Sequence, residues 1–483
     1  MSDTSRYAVL VAIAAVPAVL LAGTWQYADA NVPPPTTTTT TTLPPPPADE
    51  LATDLLSYRR HPAPLAEAAA LAERDAELAA LAQQLTEQLG PGACLHMVAD
   101  DGTTIAELAA TTAVIPASTH KAVIAAVALD VLGPDFRFRT ELFTDTAPVD
   151  GVIAGNVYLV GGGDPLLSTT AIPDARTYPA FNTTSVDLLG DALVGLGVHT
   201  IQGALVGDGS RYDDEDGRFR PPSWSDALGP PDAERADALL LADGRIDAAG
   251  NYGLVPARSA AAVFVNPVLH SRGITVVGGA DDFGRPPEAT ISLGYVESAP
   301  LTDVLVELLH TSDNTTAEML LKEIGWATSG QGTRDAGVDA VWSTLAEWGV
   351  PTDGMNVADG SGLSRDTRLA CAMLTGLLAD APVADTLVGL LPVAGRDGTL
   401  ANEFLGSPAE GALRAKTGKL TGVRALAGVM PDGVGDDVVF AIILNGDGVQ
   451  DPVVYQPLWD RLVATIGGFP VAIQLDEAPF VPR

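Results

Sequence analysis

Pro116-Ala-Ser-Thr-His-Lys121, running on into the apolar stretch Ala-Val-Ile-Ala-Ala-Val-Ala-Leu-Asp-Val-Leu at 122–132, decides the fold of this chain. The stretch is rich in strong helix formers, and a proline just ahead of the serine suits a helix entry. Ser118 is therefore expected in the first turn of a buried helix. Lys121 follows three residues later, on the same helix face, where its amine can take the proton of the serine hydroxyl. The helix N-terminus favours negative charge developing beside it. The chain has only four lysines, at 121, 322, 416 and 419. Two of them fall in short strings, Ser118-Thr-His-Lys121 and Lys416-Thr-Gly418, with Ser312-Asp-Asn314 between. Each string alone is weak; as an ordered set they are the parts of a serine acyl-transfer site with lysine as its base.

The second and third strings fit that reading by their local context. Ser312 and Asn314 stand just before Thr315 and Glu318, read as a capping pair that opens the apolar run 319–324, so both side chains are expected to project from a loop at a helix start. Lys416-Thr-Gly418 follows a run at 412–415 read as a strand, with 423–429 and 438–444 as hairpin neighbours. An edge strand can lie along an extended peptide and hydrogen-bond it. There Gly418 lets the substrate approach, and the Lys416 ammonium and Thr417 hydroxyl suit a terminal carboxylate. In isolation Ser-Asp-Asn is more often a simple cap and Lys-Thr-Gly more often a turn.

Composition narrows the classes. The chain has 483 residues, 47% of them hydrophobic, enough for a large core. With 61 acidic against 27 basic residues the net charge is -34, a field that repels polyanions, so nucleic acid is excluded as a partner. Residues 8–23 form an apolar run behind Arg6, short for a membrane span and right for an export signal, and an uncleaved anchor fits nearly as well. The Pro/Thr-rich stretch at 33–47 reads as a spacer. Only Cys94 and Cys371 occur, in a strand-like and a helix-like run; a bridge and two buried thiols both remain open. The six histidines are scattered with no pair at zinc-ligand spacing, so no metal or other cofactor is expected.

From about residue 138 the texture changes to short alternating runs and glycine-rich turns, read as an inserted β-rich domain, with helical texture resuming at 301. Gly161-Gly-Gly-Asp-Pro165 lacks the lysine of a phosphate loop and reads as a tight structural turn. No Gly-x-Ser-x-Gly elbow is present, which sets aside an α/β-hydrolase.

On these residues the chain resembles the penicillin-binding proteins of the D-alanyl-D-alanine carboxypeptidase/endopeptidase type, low-molecular-mass class C, over most of 50–475. The segments at 132–140, 161–165, 359–365 (Asp-Gly-Ser-Gly-Leu-Ser-Arg), 391–395 and 397–399 are similar to that family's connecting segments, and the long step from Ser118 to Ser312 matches its large insert. The resemblance implies an α/β (α+β) serine β-lactamase/transpeptidase-like domain, an antiparallel sheet flanked by helices and split around the insert. It implies Ser118 as nucleophile on a D-Ala-D-Ala carbonyl, Lys121 as base, Ser312 as proton relay and Asn314 as a substrate-backbone contact. Lys416, Thr417 and Gly418 would bind the terminal carboxylate end, the backbone N–H groups of Ser118 and Lys419 would hold the oxyanion, and Arg365 and Asp208 resemble positions that bind the far end of the stem peptide. Peptidoglycan stem peptides are the implied substrate and β-lactams the implied inhibitors.

The expected organisation is a signal or anchor at 1–30, a linker at 31–49, the first part of the transpeptidase-like domain at 50–145, the insert at 146–298, the second part at 299–475 and a tail at 476–483. Export to the cell envelope is expected. Two residues depart from the family pattern, Lys419 where threonine is usual and Arg396 where an apolar residue is usual; the extra lysine is expected to point to solvent. Two other classes stay open beside the peptidase: a β-lactamase-like hydrolase, and a catalytically idle cell-wall binding module.

Overall fold

The computed structural model describes residues 63–172, 180–213, 236–247, 251, 256–281, 284–433 and 436–468. The expected signal or anchor at 1–30, the linker at 31–49 and the tail at 476–483 lie outside the described residues. No single described helix is long and apolar enough to cross a membrane.

Helix α1 (Ala63–Leu89) ends at the Gly90–Gly92 turn. Strands β1 (Ala93–Ala99) and β2 (Thr104–Leu108) follow as a hairpin around Asp101-Gly102. A 3-10 turn, Ala117–His120, carries Ser118 and runs directly into α2 (Lys121–Leu132). The insert contributes β3 (Arg139–Thr144), β4 (Val152–Ile153), β5 (Val157–Val160), β6 (Leu167–Ser168), β7 (Thr184–Ser185), α3 (Asp187–Gly195), β8 (Thr200–Ile201), β9 (Leu205–Asp208), α4 (Pro256–Val263), β10 (Thr275–Val276), β11 (Ala280–Asp281) and β12 (Ile291–Glu297). Helices α5 (Leu301–Thr311), α6 (Asn314–Ser329), α7 (Arg334–Glu347), α8 (Cys371–Ala379) and α9 (Ala384–Leu390) come next. The chain closes with β13 (Arg414–Leu420), β14 (Val423–Pro431), β15 (Asp437–Asn445) and α10 (Pro452–Gly467).

The first sheet has the order β13-β14-β15-β1-β2 and is antiparallel throughout. Side chains alternate across a strand, so β15 at its centre can feed two layers at once. Val439, Ala441 and Ile443 enter the core shared with α2, α5, α6 and α8, while Val438, Phe440, Ile442 and Leu444 enter a second core under α1 and α10. That alternation explains why the run is apolar almost without interruption. The sequence assigns 412–415 to a strand preceding Lys416; the observed strand begins at Arg414 and carries Lys416, Thr417 and Gly418 within it, at the sheet's edge.

The second sheet, β11-β9-β5-β3-β12, mixes parallel and antiparallel pairs and has its own apolar core, to which α3 and α4 contribute. β3 pairs with β12 from Arg139↔Glu297 onward, so the strand at 139–144, expected in the first catalytic part, belongs to this second sheet. A clip closes its neck: Ser298 Oγ accepts from the Phe138 amide at 3.0 Å, and the Ser298 amide donates to the Phe138 carbonyl at 2.9 Å. A second attachment is ionic. Arg211 grips Glu323 of α6 with two bonds of 2.6 and 2.8 Å, Tyr212 Oη donates to the same carboxylate at 2.9 Å, and Lys322 pairs with Asp213 at 2.8 Å.

Cys94 of β1 and Cys371 of α8 form a disulfide. The sequence left this pairing open because 277 residues separate the two thiols, and only the packing of α8 on the sheet brings them together.

Candidate active site

The three strings converge at one end of the first sheet. Lys121 is fully buried, and its Nζ lies 3.0 Å from Ser118 Oγ, 2.7 Å from Asn314 Oδ1 and 2.7 Å from the Ser361 carbonyl oxygen. Three partners fill the three N–H positions of an ammonium. None of the three is charged, so burial dominates and pushes the Lys121 amine down to about 8; the carboxylates of Asp359, Asp313 and Glu318 pull it partly back up. An amine poised there is neutral in a useful fraction of molecules near neutral pH, as a general base requires.

Lys416 is also fully buried, with Nζ 2.9 Å from Ser312 Oγ and 3.0 Å from the Thr417 carbonyl. Burial, and then the like charges of Lys121 and Lys419, hold its amine well below the ordinary lysine value. Thr417 Oγ1 donates to Thr399 Oγ1 at 2.9 Å. Two amines thus flank the space between Ser118 and Ser312, each touching one hydroxyl.

The backbone around these hydroxyls is bent to aim them. Ala117, immediately before Ser118, has φ +49, and Ser312, between α5 and α6, has φ +59. Non-glycine residues held in this left-handed region cost of order 1–3 kcal/mol each, and such strain concentrates at functional sites. At Gly418 a Cβ would stand 2.6 Å from the Pro116 carbonyl and 3.3 Å from the Ala117 Cβ. The glycine is needed because the nucleophile turn itself presses on β13.

The expected Thr315/Glu318 capping pair is corrected by the structure. Asp313 is the N-cap of α6, its Oδ1 accepting from the Thr316 amide at 2.6 Å, and Glu318 is buried against another segment. Aspartate two residues earlier supplies a short, acceptor-only cap.

The outlying candidates are dispersed. Arg365 Nη2 donates to the Thr421 carbonyl at 2.6 Å, just past the end of β13, so it borders the site. Asp208 is buried in β9, where its Oδ1 accepts from the Ser210 amide at 2.9 Å; no described contact joins it to the cluster. Lys419 is exposed, and at the surface its Nζ reaches Glu403 at 3.4 Å. Arg396 covers Gly411, where an added Cβ would meet its guanidinium at 2.7 Å.

Residues absent from the motif reading also build the site. Asp359 is fully buried and accepts from the amides of Gly362 and Ser364 and the hydroxyls of Ser361 and Thr367, while its carbonyl accepts from His120 Nε2 at 2.8 Å. It fixes the loop whose Ser361 carbonyl meets Lys121. The signal was present as an acidic residue in a small-residue segment, but a partner 239 residues away is invisible to local patterning.

Comparison with known proteins agrees with this geometry. The chain matches the family described as D-Ala-D-Ala carboxypeptidase 3 (S13) over residues 75–249 and 254–464. It is 31% identical over 420 residues to the D-alanyl-D-alanine carboxypeptidase of Actinomadura sp. strain R39, covering 71% of this chain and 75% of the relative. It is 32% identical over 368 residues to the carboxypeptidase DacB of Mycolicibacterium smegmatis, covering 72% of this chain and 75% of the relative. The fold is similar to the crystal structure of penicillin binding protein 4 from Haemophilus influenzae, with a TM-score of 0.66 at 23% identity, covering 79% of this chain and 99% of that one. The buried lysine–serine pairs on an antiparallel sheet therefore sit in a chain that belongs to the D-Ala-D-Ala carboxypeptidase 3 (S13) family.

Proposed function

We propose that this chain is a serine-type D-Ala-D-Ala carboxypeptidase/endopeptidase that acts on peptidoglycan stem peptides through an acyl-serine intermediate and is acylated by β-lactams. The observation that carries the reading is the buried Lys121 amine, pushed down to about 8 and 3.0 Å from Ser118 Oγ.

In the mechanism, neutral Lys121 accepts the Ser118 proton as Oγ attacks the carbonyl of the penultimate D-alanine. The backbone N–H groups of Ser118 and Lys419 receive the negative charge on the carbonyl oxygen, which exists only in the transition state. Ser312, in contact with Lys416, relays the proton taken up by Lys121 to the leaving amine, which returns Lys121 to its neutral form, and Asn314 holds the substrate backbone beside Lys121. The substrate lies as an added strand along the edge strand β13, its terminal carboxylate on Thr417 with Lys416 behind it. Water, activated by the same lysine, then hydrolyses the acyl-enzyme.

Arg365, at the end of β13, would face the far part of the stem peptide; Asp208 finds no support for that role in its contacts. As a member of a family of cell-wall peptidases the enzyme acts outside the cytoplasm, and the disulfide suits an oxidising compartment. Residues 1–30 would deliver it there as an export signal or hold it as an anchor.

Fluorescent penicillin labelling of the full chain beside Ser118→Ala tests the reading. A persistent label on wild type alone, together with release of D-alanine from a stem peptide, is the expected result. A label that survives the substitution would place the acylated residue elsewhere. Rapid drug hydrolysis without D-alanine release would favour the β-lactamase-like alternative.

A further inference from the structure

Glu318 stands one helical turn beyond Asn314 on α6, outside the three motifs and unused in the mechanism above. Its side chain is buried, 2% exposed. One carboxylate oxygen, Oε1, accepts the amides of Gly360 at 3.1 Å and Ser361 at 2.8 Å; the other, Oε2, faces the Arg334 guanidinium at 3.5 Å. Burying a carboxylate is costly unless its lone pairs are filled, and here two N–H groups and a guanidinium fill them.

The segment it holds leads directly into the peptide that holds the base, whose own N–H, on Gly362, is bound by Asp359. The Ser361 carbonyl is one of the three acceptors around Lys121 Nζ, at 2.7 Å. The segment is pressed from both sides: a Cβ on Gly360 would stand 2.4 Å from the Ala317 carbonyl of α6, and one on Gly362 would stand 2.2 Å from the Ala117 carbonyl in the nucleophile turn. A continuous path therefore runs from Arg334 of α7 through Glu318 of α6 and the 360–361 backbone to Lys121 and Ser118.

We propose that Glu318 is a positioning residue for the base: by binding the Gly360 and Ser361 amides it sets the Ser361 carbonyl where it orients Lys121 Nζ toward Ser118 Oγ. The inference rests on the acyl-serine reading of the site. It has an electrostatic corollary. The charged and titratable groups facing Lys121 are the carboxylates of Asp313, Asp359 and Glu318, with His120 on its own turn and Lys416 across the site. Each carboxylate favours the ammonium form, so removing the charge of Glu318 lowers the proton affinity of Lys121 and lets the base work at lower pH. A purely structural Glu318 would change the amount of folded protein and leave the plateau rate of the folded fraction alone.

The test is the second-order rate of acylation of the full chain by benzylpenicillin, measured on both sides of pH about 8, for wild type, Glu318→Gln, Glu318→Ala and Gly360→Ala. Folding is checked by circular dichroism. In Glu318→Ala the high-pH plateau should fall about 100-fold, the usual consequence of misplacing a catalytic group by about an ångström. In Glu318→Gln, which keeps an acceptor for the amides, the acid limb should move to lower pH with a smaller loss of plateau. Gly360→Ala leaves Glu318 intact but displaces the peptide, and should lower the plateau as well. A folded Glu318→Gln with both limb and plateau unchanged overturns the inference, as does a folded Gly360→Ala with a wild-type plateau. A wild type that penicillin never acylates instead tells against the acyl-serine reading.

Discussion

Helix α6 carries two clusters of buried charge that obey opposite rules. Its first turn places Asn314 against Lys121, whose hydrogen-bond partners are all neutral; burial therefore wins and the amine is pushed down to about 8. Its third turn places Glu323 against Arg211 and Tyr212, and Lys322 against Asp213; there each cation meets a carboxylate directly. Against a burial that lowers it, the Glu323 carboxylate holds the Arg211 guanidinium above its ordinary value; burial, and then the same carboxylate, hold the Tyr212 hydroxyl well above its own. The choice of partner, more than the depth of burial, decides whether a buried ion becomes reactive or cohesive.

The sharpest way to break this comparison is to remove one ion from each cluster. Lys121→Met should lower acylation by penicillin roughly 10³-fold or more, the scale of a lost general base, without lowering the melting temperature, because a hydrophobic side chain replaces an amine that burial disfavours. Melting below wild type would mean that the lysine is cohesive after all. Wild-type acylation should rise with pH and level off above about 8, since the working form is the neutral amine. Stability follows the same sign. The folded amine lies below the ordinary lysine value, so the unfolded chain binds more protons between about 8 and about 10.4, and unfolding should become harder as pH rises through that window. Lys121→Met should show less of that rise.

Glu323→Ala should do the reverse. Stranding Arg211 and Tyr212 is expected to cost about 3–5 kcal/mol, seen as a lower denaturation midpoint, while acylation per folded molecule stays near wild type. A large loss of acylation in the folded fraction would show that this attachment governs the site. Replacing Cys94 and Cys371 together by serine should cost about 2–5 kcal/mol with the acid limb of acylation unmoved, measured by denaturant titration and the same rate assay. The smallest effect belongs to Lys419→Thr. Its contact with Glu403 is exposed, so stability should change by less than about 1 kcal/mol. Acylation should change only slightly, because the expected contribution of position 419 is its backbone N–H.

Much of the site was legible in the chain because its parts are local. Ser118 and Lys121 are one turn apart, Ser312 and Asn314 flank a helix start, and Lys416 and Thr417 are adjacent, so short-range rules locate all six side chains. The scarcity of lysine sharpened the signal. What sequence patterning missed depends on long separations: Asp359 with His120, Glu318 with the 360–361 amides, Cys94 with Cys371, and Arg211 with Glu323. Glu318 was even misread, since a glutamate three residues after a threonine looks like half of a capping box, and only the tertiary fold shows that Asp313 already caps the helix. The central strand β15 was easier to place than the insert's two-residue strands, whose alternation is too short to register.

The bridge between Cys94 and Cys371 encircles the insert in sequence, because residues 139–297 all lie between its two ends. A protease that cuts a loop anywhere in that interval produces two polypeptides that remain one covalent molecule. Such a nicked enzyme should migrate as a single full-length band on a denaturing gel without reductant and as two bands with it. The insert can therefore accumulate backbone breaks without releasing β1 and the Ser118 turn, on one fragment, from the helices and strands β13–β15 that carry the rest of the site on the other.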